Sequence, residues 1–265
     1  MPVLLMRLAG PLQSWGSASR FTRRETETMP TKSGVIGMIA AALGMGRDES
    51  LARFQGLRFG VRVDQPGSVI SDFQTARDDS GKSMPLSRRY YLQDAVFLAG
   101  IEDDSGSDRL IDYRRALQKP YYSLFLGRRS CPPDGPLVTT IVDDSLECAL
   151  RDAPWQATEH YRQWLSRNTQ RYPELCRGDI MVETMNDKGT EGFVEAFNDE
   201  PVSFDPRWRR WSSRTWRRLD APVEFIDVSG SDTGDGPGSG RAPDDMDMIH
   251  DDAIFQTVRD ARGKA

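Results

Sequence analysis

Among the residues able to do chemistry, arginines stand out in three clusters. Arg20, Arg23 and Arg24 sit in a hydroxyl-rich loop that leads to Lys32. Arg128-Arg129-Ser130 follows Gly127 in a short basic turn. The third runs from Arg207 to Arg218, six arginines and three tryptophans in twelve residues. A guanidinium is a planar, permanently charged fork that matches phosphate or carboxylate. Interleaved with aromatics it suits single-stranded nucleic acid, whose bases stack while its phosphates are held. A protein interface is also rich in arginine and tryptophan, so both uses stay open for the third cluster. Arginine outnumbers lysine thirty to five, a bias that a GC-rich genome or an anion-binding surface would each produce.

Other chemistries fit poorly. Ala76 to Ser83 ends Gly-Lys-Ser like a phosphate loop, but Asp78 and Asp79 would face the phosphates. Met84-Pro85 then stands where an apolar helix would have to begin. The two histidines, His160 and His250, have no second ligand at metal-binding spacing. Neither a Gly-x-Ser-x-Gly elbow nor an HExxH motif occurs. The expectation is therefore no catalytic residue, no metal and no cofactor. Cys131, Cys148 and Cys176 are odd in number and far apart, which fits a reducing cytoplasm better than a disulfide framework. No apolar run reaches the roughly 18 residues of a membrane span, and the first residues read as a strand.

The elements that must position the clusters follow from pattern. Pro30 to Gly46 is apolar or small all round and reads as a buried helix. Gly34, Gly37, Ala41 and Gly44 draw a strip almost free of side chain along one face. Helix-on-sheet packing or a nucleic-acid backbone docked at the helix start would each explain it, and Lys32 with the free first-turn amides suits an anion. Val3–Leu8, Leu57–Val63 and Ala95–Ile101 read as strands, Asp108–Gln118 as a helix, and Tyr121–Leu126 as a strand entering the basic turn. Residues 69–94, returning through Arg88 and Arg89, read as a projecting hairpin because the middle is too polar to bury. The order is a split βαβ, ferredoxin-like α+β arrangement over residues 1–140 with an inserted hairpin. Residues 141–228 read as a smaller, mixed, β-rich part. It contains a largely helical stretch over 144–167 and strands at 178–183 and 192–197 joined by a turn at Asn186–Gly189. Residues 229–265 read as an acidic, flexible tail with a short helix near 252–259. Charge is segregated to match: from Ala221 onward there are ten acidic and four basic residues, while residues 1–220 are nearly balanced.

Three motifs carry a family resemblance. Leu8-Ala9-Gly10-Pro11-Leu12-Gln13-Ser14-Trp15-Gly16, Pro30-Thr31-Lys32-Ser33-Gly34-Val35-Ile36-Gly37 and Leu126-Gly127-Arg128-Arg129-Ser130-Cys131-Pro132 resemble the CasD family, RAMP-superfamily subunits of the type I-E CRISPR complex Cascade. Fainter echoes at Asp72–Thr75, Tyr91–Ala95, Gly178–Ile180 and Ser213–Trp216 keep the family order across about residues 3 to 220. The resemblance implies a ferredoxin-like body that binds the 5′ handle of a CRISPR RNA and caps the guide-RNA filament, with the hairpin as its thumb. It implies RNA contacts from Ser14, Trp15, Arg20, Arg23, Arg24, Thr31, Lys32, Ser33, Gly34, Gly37, Arg88, Arg89, Arg128, Arg129 and Ser130. The partners implied are the backbone subunit CasC, the large subunit CasA and target DNA near the guide start, with no membrane. Related subunits of another subtype cleave repeat RNA with Tyr, Lys and His. Here no histidine precedes His160, which favours binding. The alternative is a metal-independent repeat endoribonuclease using Tyr90 or Tyr91 with a nearby lysine.

Overall fold

The computed structural model describes residues 1–16, 23–184 and 194–226. In chain order the strands are β1 (Pro2–Ala9), β2 (Leu12–Gln13), β3 (Arg23–Arg24), β4 (Arg58–Gln65), β5 (Ser68–Gln74), β6 (Ser87–Gln93) and β7 (Val96–Glu102). They continue as β8 (Thr139–Asp143), β9 (Arg177–Gly178), β10 (Ile180–Glu183), β11 (Val194–Ser203), β12 (Arg210–Arg218) and β13 (Val223–Glu224). The α-helices are α1 (Lys32–Ala42), α2 (Asp108–Gln118), α3 (Leu146–Asp152) and α4 (Glu159–Ser166). A seven-stranded sheet in the order β11-β12-β10-β4-β7-β1-β8 forms the frame, every neighbouring pair antiparallel.

β1 is apolar throughout because both of its faces are covered. Side chains alternate sides along a strand, so Leu4, Met6 and Leu8 join the core built with α1 and α2, whereas Val3 and Leu5 join α3, Ile180 and Val182. Gly60 and Gly100 leave room on that second face for Leu146 and Leu150. α1 is buried almost all round, and Gly34 and Gly37 admit the rings of Trp15 and Phe204. The small-residue strip thus receives aromatic side chains of its own chain, and the backbone docking considered for it is not needed.

Two local expectations need correction. Tyr121–Leu126 is a crossing loop, because the Tyr121 and Tyr122 amides donate to the Ala42 and Ala41 carbonyls that end α1. The strand beside β1 is β8 instead, so residue 140 lies inside a strand of a sheet that continues into β10–β12. The stretch 144–167 is largely helical as expected, in two pieces that divide at Pro154, which cannot continue a helix; Ser145 and Thr158 cap them. β10 and β11 do not pair, since β12 lies between them and bonds to both. The turn expected at Asn186–Gly189 lies outside the described residues. Met1–Ser229 forms one compact unit. The tail from 229 on, with its expected helix, also lies outside the described residues. Among those described, no helix is long and apolar enough to cross a membrane.

Candidate nucleic-acid interface

β6 holds a small second sheet together. β5 pairs antiparallel along one edge; β2 and β3 share the other. β3 runs parallel to β6, placing Arg23 beside Arg88 and Arg24 beside Arg89. Like charges set directly opposite one another weaken a sheet, so four arginines in two adjacent pairs ask for an anion. The chain supplies little: Arg23 Nε meets Glu25 Oε1 at 2.8 Å, and Asp72 stands opposite Arg89 in the β5–β6 register. Aromatic faces hold two of the guanidinium groups in place. Arg23 lies 5.5 Å over Tyr90, and Arg88 lies 4.5 Å over Phe73.

The basic turn is pinned against this sheet. Gly127 has φ +89°, and a Cβ there would overlap the Ser14 carbonyl oxygen, so only glycine fits. The Ser14 amide donates to Leu126 O at 3.0 Å. Arg128 donates from Nη1 to Tyr90 O (3.0 Å) and from Nη2 to Arg24 O (2.9 Å) and Glu25 O (3.2 Å), with Tyr91 beneath it at 4.9 Å. Its partners are neutral carbonyls, so its positive charge is not cancelled. Arg129 and Ser130 are exposed next to it. Cys131 is enclosed, and burial pushes its thiol pKa up, making it unreactive.

A cavity of about 330 Å³ opens between these parts. Its lining joins Ser14, Trp15 and Gly16 to the start of α1 (Thr31, Ser33, Gly34), to Arg24, Gly127 and Arg128, and to Phe204, Arg209 and Trp211. Seven residues expected at an RNA site therefore meet in one place. Their roles differ from a flat contact list. Trp15 is 0% exposed, its Nε1 donates to Gln13 Oε1, and its ring lies against Gly34, so it builds the wall and is not free to stack. Thr31 is the N-cap of α1, its Oγ1 accepting from the Gly34 amide at 3.2 Å. Gly37 packs on Phe204. Arg20 lies outside the described residues.

Lys32 and the helix start require a correction. The Lys32 amide donates to Asp199 Oδ2 at 2.6 Å, and Asp199 also holds Arg214. Lys32 Nζ sits between Glu183 (2.9 Å) and Glu200 (2.6 Å), with its side chain 5% exposed. The chain's own carboxylates thus occupy the anion site expected at the helix start. Burial raises the pKa of Glu200, with Lys32 opposing that shift and Glu183 adding to it.

The Arg/Trp cluster sorts itself along β12. Arg214 and Trp216 point inward, Arg217 pairs with Glu147, Arg218 with Asp179, and Arg207 with Asp205. Among the described residues neither Arg209 nor Arg210 has a carboxylate partner, and Arg209 is the one at the cavity. Its guanidinium lies 5.4 Å over Trp211 at the cavity, and desolvation, then the like charge of Arg47, lowers its pKa. The sequence offered Arg209 and Trp211 only as members of a crowded cluster. Arg209 precedes β12, so strand alternation does not separate it from its neighbours, and only the fold brings it to Trp211. Tyr91 is 3% exposed beneath Arg128 and Tyr90 lies beneath Arg23, while Lys32 is committed to carboxylates. Among the described residues no group of His, Cys, Asp and Glu could hold a metal.

Residues 3–215 match the family described as CRISPR-associated protein (Cas_Cas5). The chain is 33% identical over 234 residues to the CRISPR system Cascade subunit CasD of Escherichia coli (strain K12), covering 80% of this chain and 93% of that protein. It is similar to a solved CRISPR RNA-guided surveillance complex, with TM-score 0.64 and 31% identity over 84% of this chain and 91% of that one. A crystal structure of a Cas protein matches with TM-score 0.60 and 32% identity, covering 84% and 95% of the two chains.

Proposed function

The chain belongs to the Cas5 family of CRISPR-associated proteins, and on that premise we propose that it serves a type I-E Cascade complex as its CasD-type subunit, binding the 5′ handle of the CRISPR RNA without cleaving it. The observation that carries the proposal is the register of β3 on β6. It sets Arg23, Arg24, Arg88 and Arg89 side by side, next to the Arg128–Ser130 turn and a cavity lined by no carboxylate among the described residues. Guanidinium groups lacking full internal compensation suit a phosphate backbone. A single strand also exposes bases that such a cavity can admit.

In this proposal β1, α1, β4, β7, α2 and β8, with sheet order β4-β7-β1-β8, form the ferredoxin-like body. The β5–β6 hairpin is the thumb, leaning on the backbone subunit CasC and the large subunit CasA near the start of the guide. The same contacts bring the subunit close to target DNA, in the cytoplasm, in antiviral surveillance. Sequence selection then rests with guide pairing while the protein holds shape and backbone, as the division runs in other guided effectors. A binding role is supported by the enclosure of Tyr91 and by the commitment of Lys32 to Glu183 and Glu200.

Two measurements on the purified chain test this. Single-stranded RNA carrying the 5′ segment released from the CRISPR repeat should bind with an affinity that falls as salt rises. Labelled repeat RNA incubated with the chain in EDTA should remain intact. Failure to bind removes the handle-gripping role, and metal-independent cleavage installs the endoribonuclease in its place.

A further inference from the structure

Phe204, Arg209 and Trp211 line the same cavity as the RNA-facing arginines, yet come from the far end of the seven-stranded sheet. We propose that Trp211 and Arg209 form a slot for one unpaired nucleobase of the bound RNA, the base continuing the guanidinium–indole stack while Arg24 and Arg128 hold its flanking phosphates. The inference rests on the RNA-binding role above and deepens it.

Four observations converge on it. At about 330 Å³ the cavity is near the lower limit of small-molecule pockets, roughly 300–1,000 Å³, a space for one nucleotide and not for a helix. Among the described residues three arginines line it and no Asp or Glu does. Among the described residues Arg207, Arg214, Arg217 and Arg218 of the Arg/Trp segment are each matched by a carboxylate, Arg209 and Arg210 are not, and of these two it is Arg209 that lies over the Trp211 ring at the cavity. An arginine stacked on an indole presents a flat, polarised face that bases stack against regardless of identity. Ser33 also lines the cavity, and its hydroxyl can donate to or accept from a base edge. The Lys32 and Gly34 amides of α1 take no part, because Asp199 and Thr31 already occupy them.

The test walks a single abasic position along a single-stranded RNA carrying the 5′ segment of the CRISPR repeat. Affinity is measured for the full chain and for Trp211→Ala, Trp211→Phe and Trp211→Leu. In the unsubstituted chain one position should lose roughly 5- to 150-fold on base removal, the range a stacked base gives. Trp211→Ala should lose a similar factor on intact RNA and show no further loss at that position. Trp211→Phe should retain the position's effect. If Trp211→Ala fails to fold, Trp211→Leu replaces it, keeping part of the apolar bulk without an aromatic face. Loss spread evenly over all positions, or no position coupled to residue 211, overturns the slot while leaving handle binding intact. Absence of RNA binding by the unsubstituted chain overturns both. Unchanged RNA affinity with loss of co-purifying Cascade subunits would assign Trp211 to a protein contact.

Discussion

An arginine or lysine counts toward an RNA surface only after its partners within the chain are subtracted. Lys32 fails that subtraction: it lies between Glu183 and Glu200. Lys32→Met should therefore cost about 3 kcal/mol of stability by stranding buried carboxylates, read as a lower melting temperature, and leave the RNA affinity of the folded fraction unchanged. Glu200 gives the opposite sign. Its folded pKa stands above the ordinary 4.5, so its contribution is fully present below that value and is lost as pH rises through the folded pKa. Glu200→Gln should then match the parent chain in acid and melt at or above the parent temperature at pH 7 to 8; a lower melting temperature there contradicts this assignment. Arg128 and Arg129 also part company. Arg129 is exposed, and Arg129→Ala should weaken RNA binding with an unchanged fold. Arg128 clasps three carbonyls in a fork, so Arg128→Lys should lose both affinity and melting temperature despite keeping the charge. Residue types and spacing made the basic turn legible in the sequence. The burial of Lys32 was not, because Asp199, Glu183 and Glu200 are far away along the chain.

Elements with strong local signals formed where the pattern placed them. β1, α1, β4, the β5–β6 hairpin, β7 and α2 all follow from period and punctuation. The failures occurred where a distant partner decides. Tyr121–Leu126 has strand-like composition, but the carbonyls at the end of α1 claim its amides. The pairing of β3 with β6 was likewise invisible, since two residues of strand carry no periodic signal. The most exacting local element is the turn at Gly127, where φ is +89° and a side chain would meet Ser14 O. A left-handed backbone alone costs about 1–2 kcal/mol for an L-residue. Gly127→Ala should exceed that, and because the turn carries Arg128 and Arg129 it should depress RNA affinity as well, measured by thermal melting and RNA titration together. Gly81→Ala at the hairpin tip, where φ is +82° but space is open, should cost only the backbone strain and leave RNA affinity intact.

Across the whole molecule, both faces of one sheet are used for core while the second, smaller sheet and the basic turn gather charge. Carboxylates drawn inward to hold Lys32, Arg58, Arg62 and Arg214 are absent from the cavity lining. The chain beyond Ser229 adds mostly acidic charge. Truncation after Ser229 should leave the melting temperature unchanged and strengthen binding to unrelated RNA at low salt, an effect that screening should erase at high salt. The measurement that bears most directly on the molecule's role is the salt dependence of handle-RNA binding by the parent chain and by a variant carrying Arg24→Ala, Arg89→Ala and Arg129→Ala. Three lost phosphate contacts on a single strand should flatten the log–log slope by about 2, with weaker binding at every salt concentration and a melting temperature no lower than the parent's, since the opposed charges of Arg24 and Arg89 are relieved. Identical slopes and affinities would mean that RNA does not cross this face.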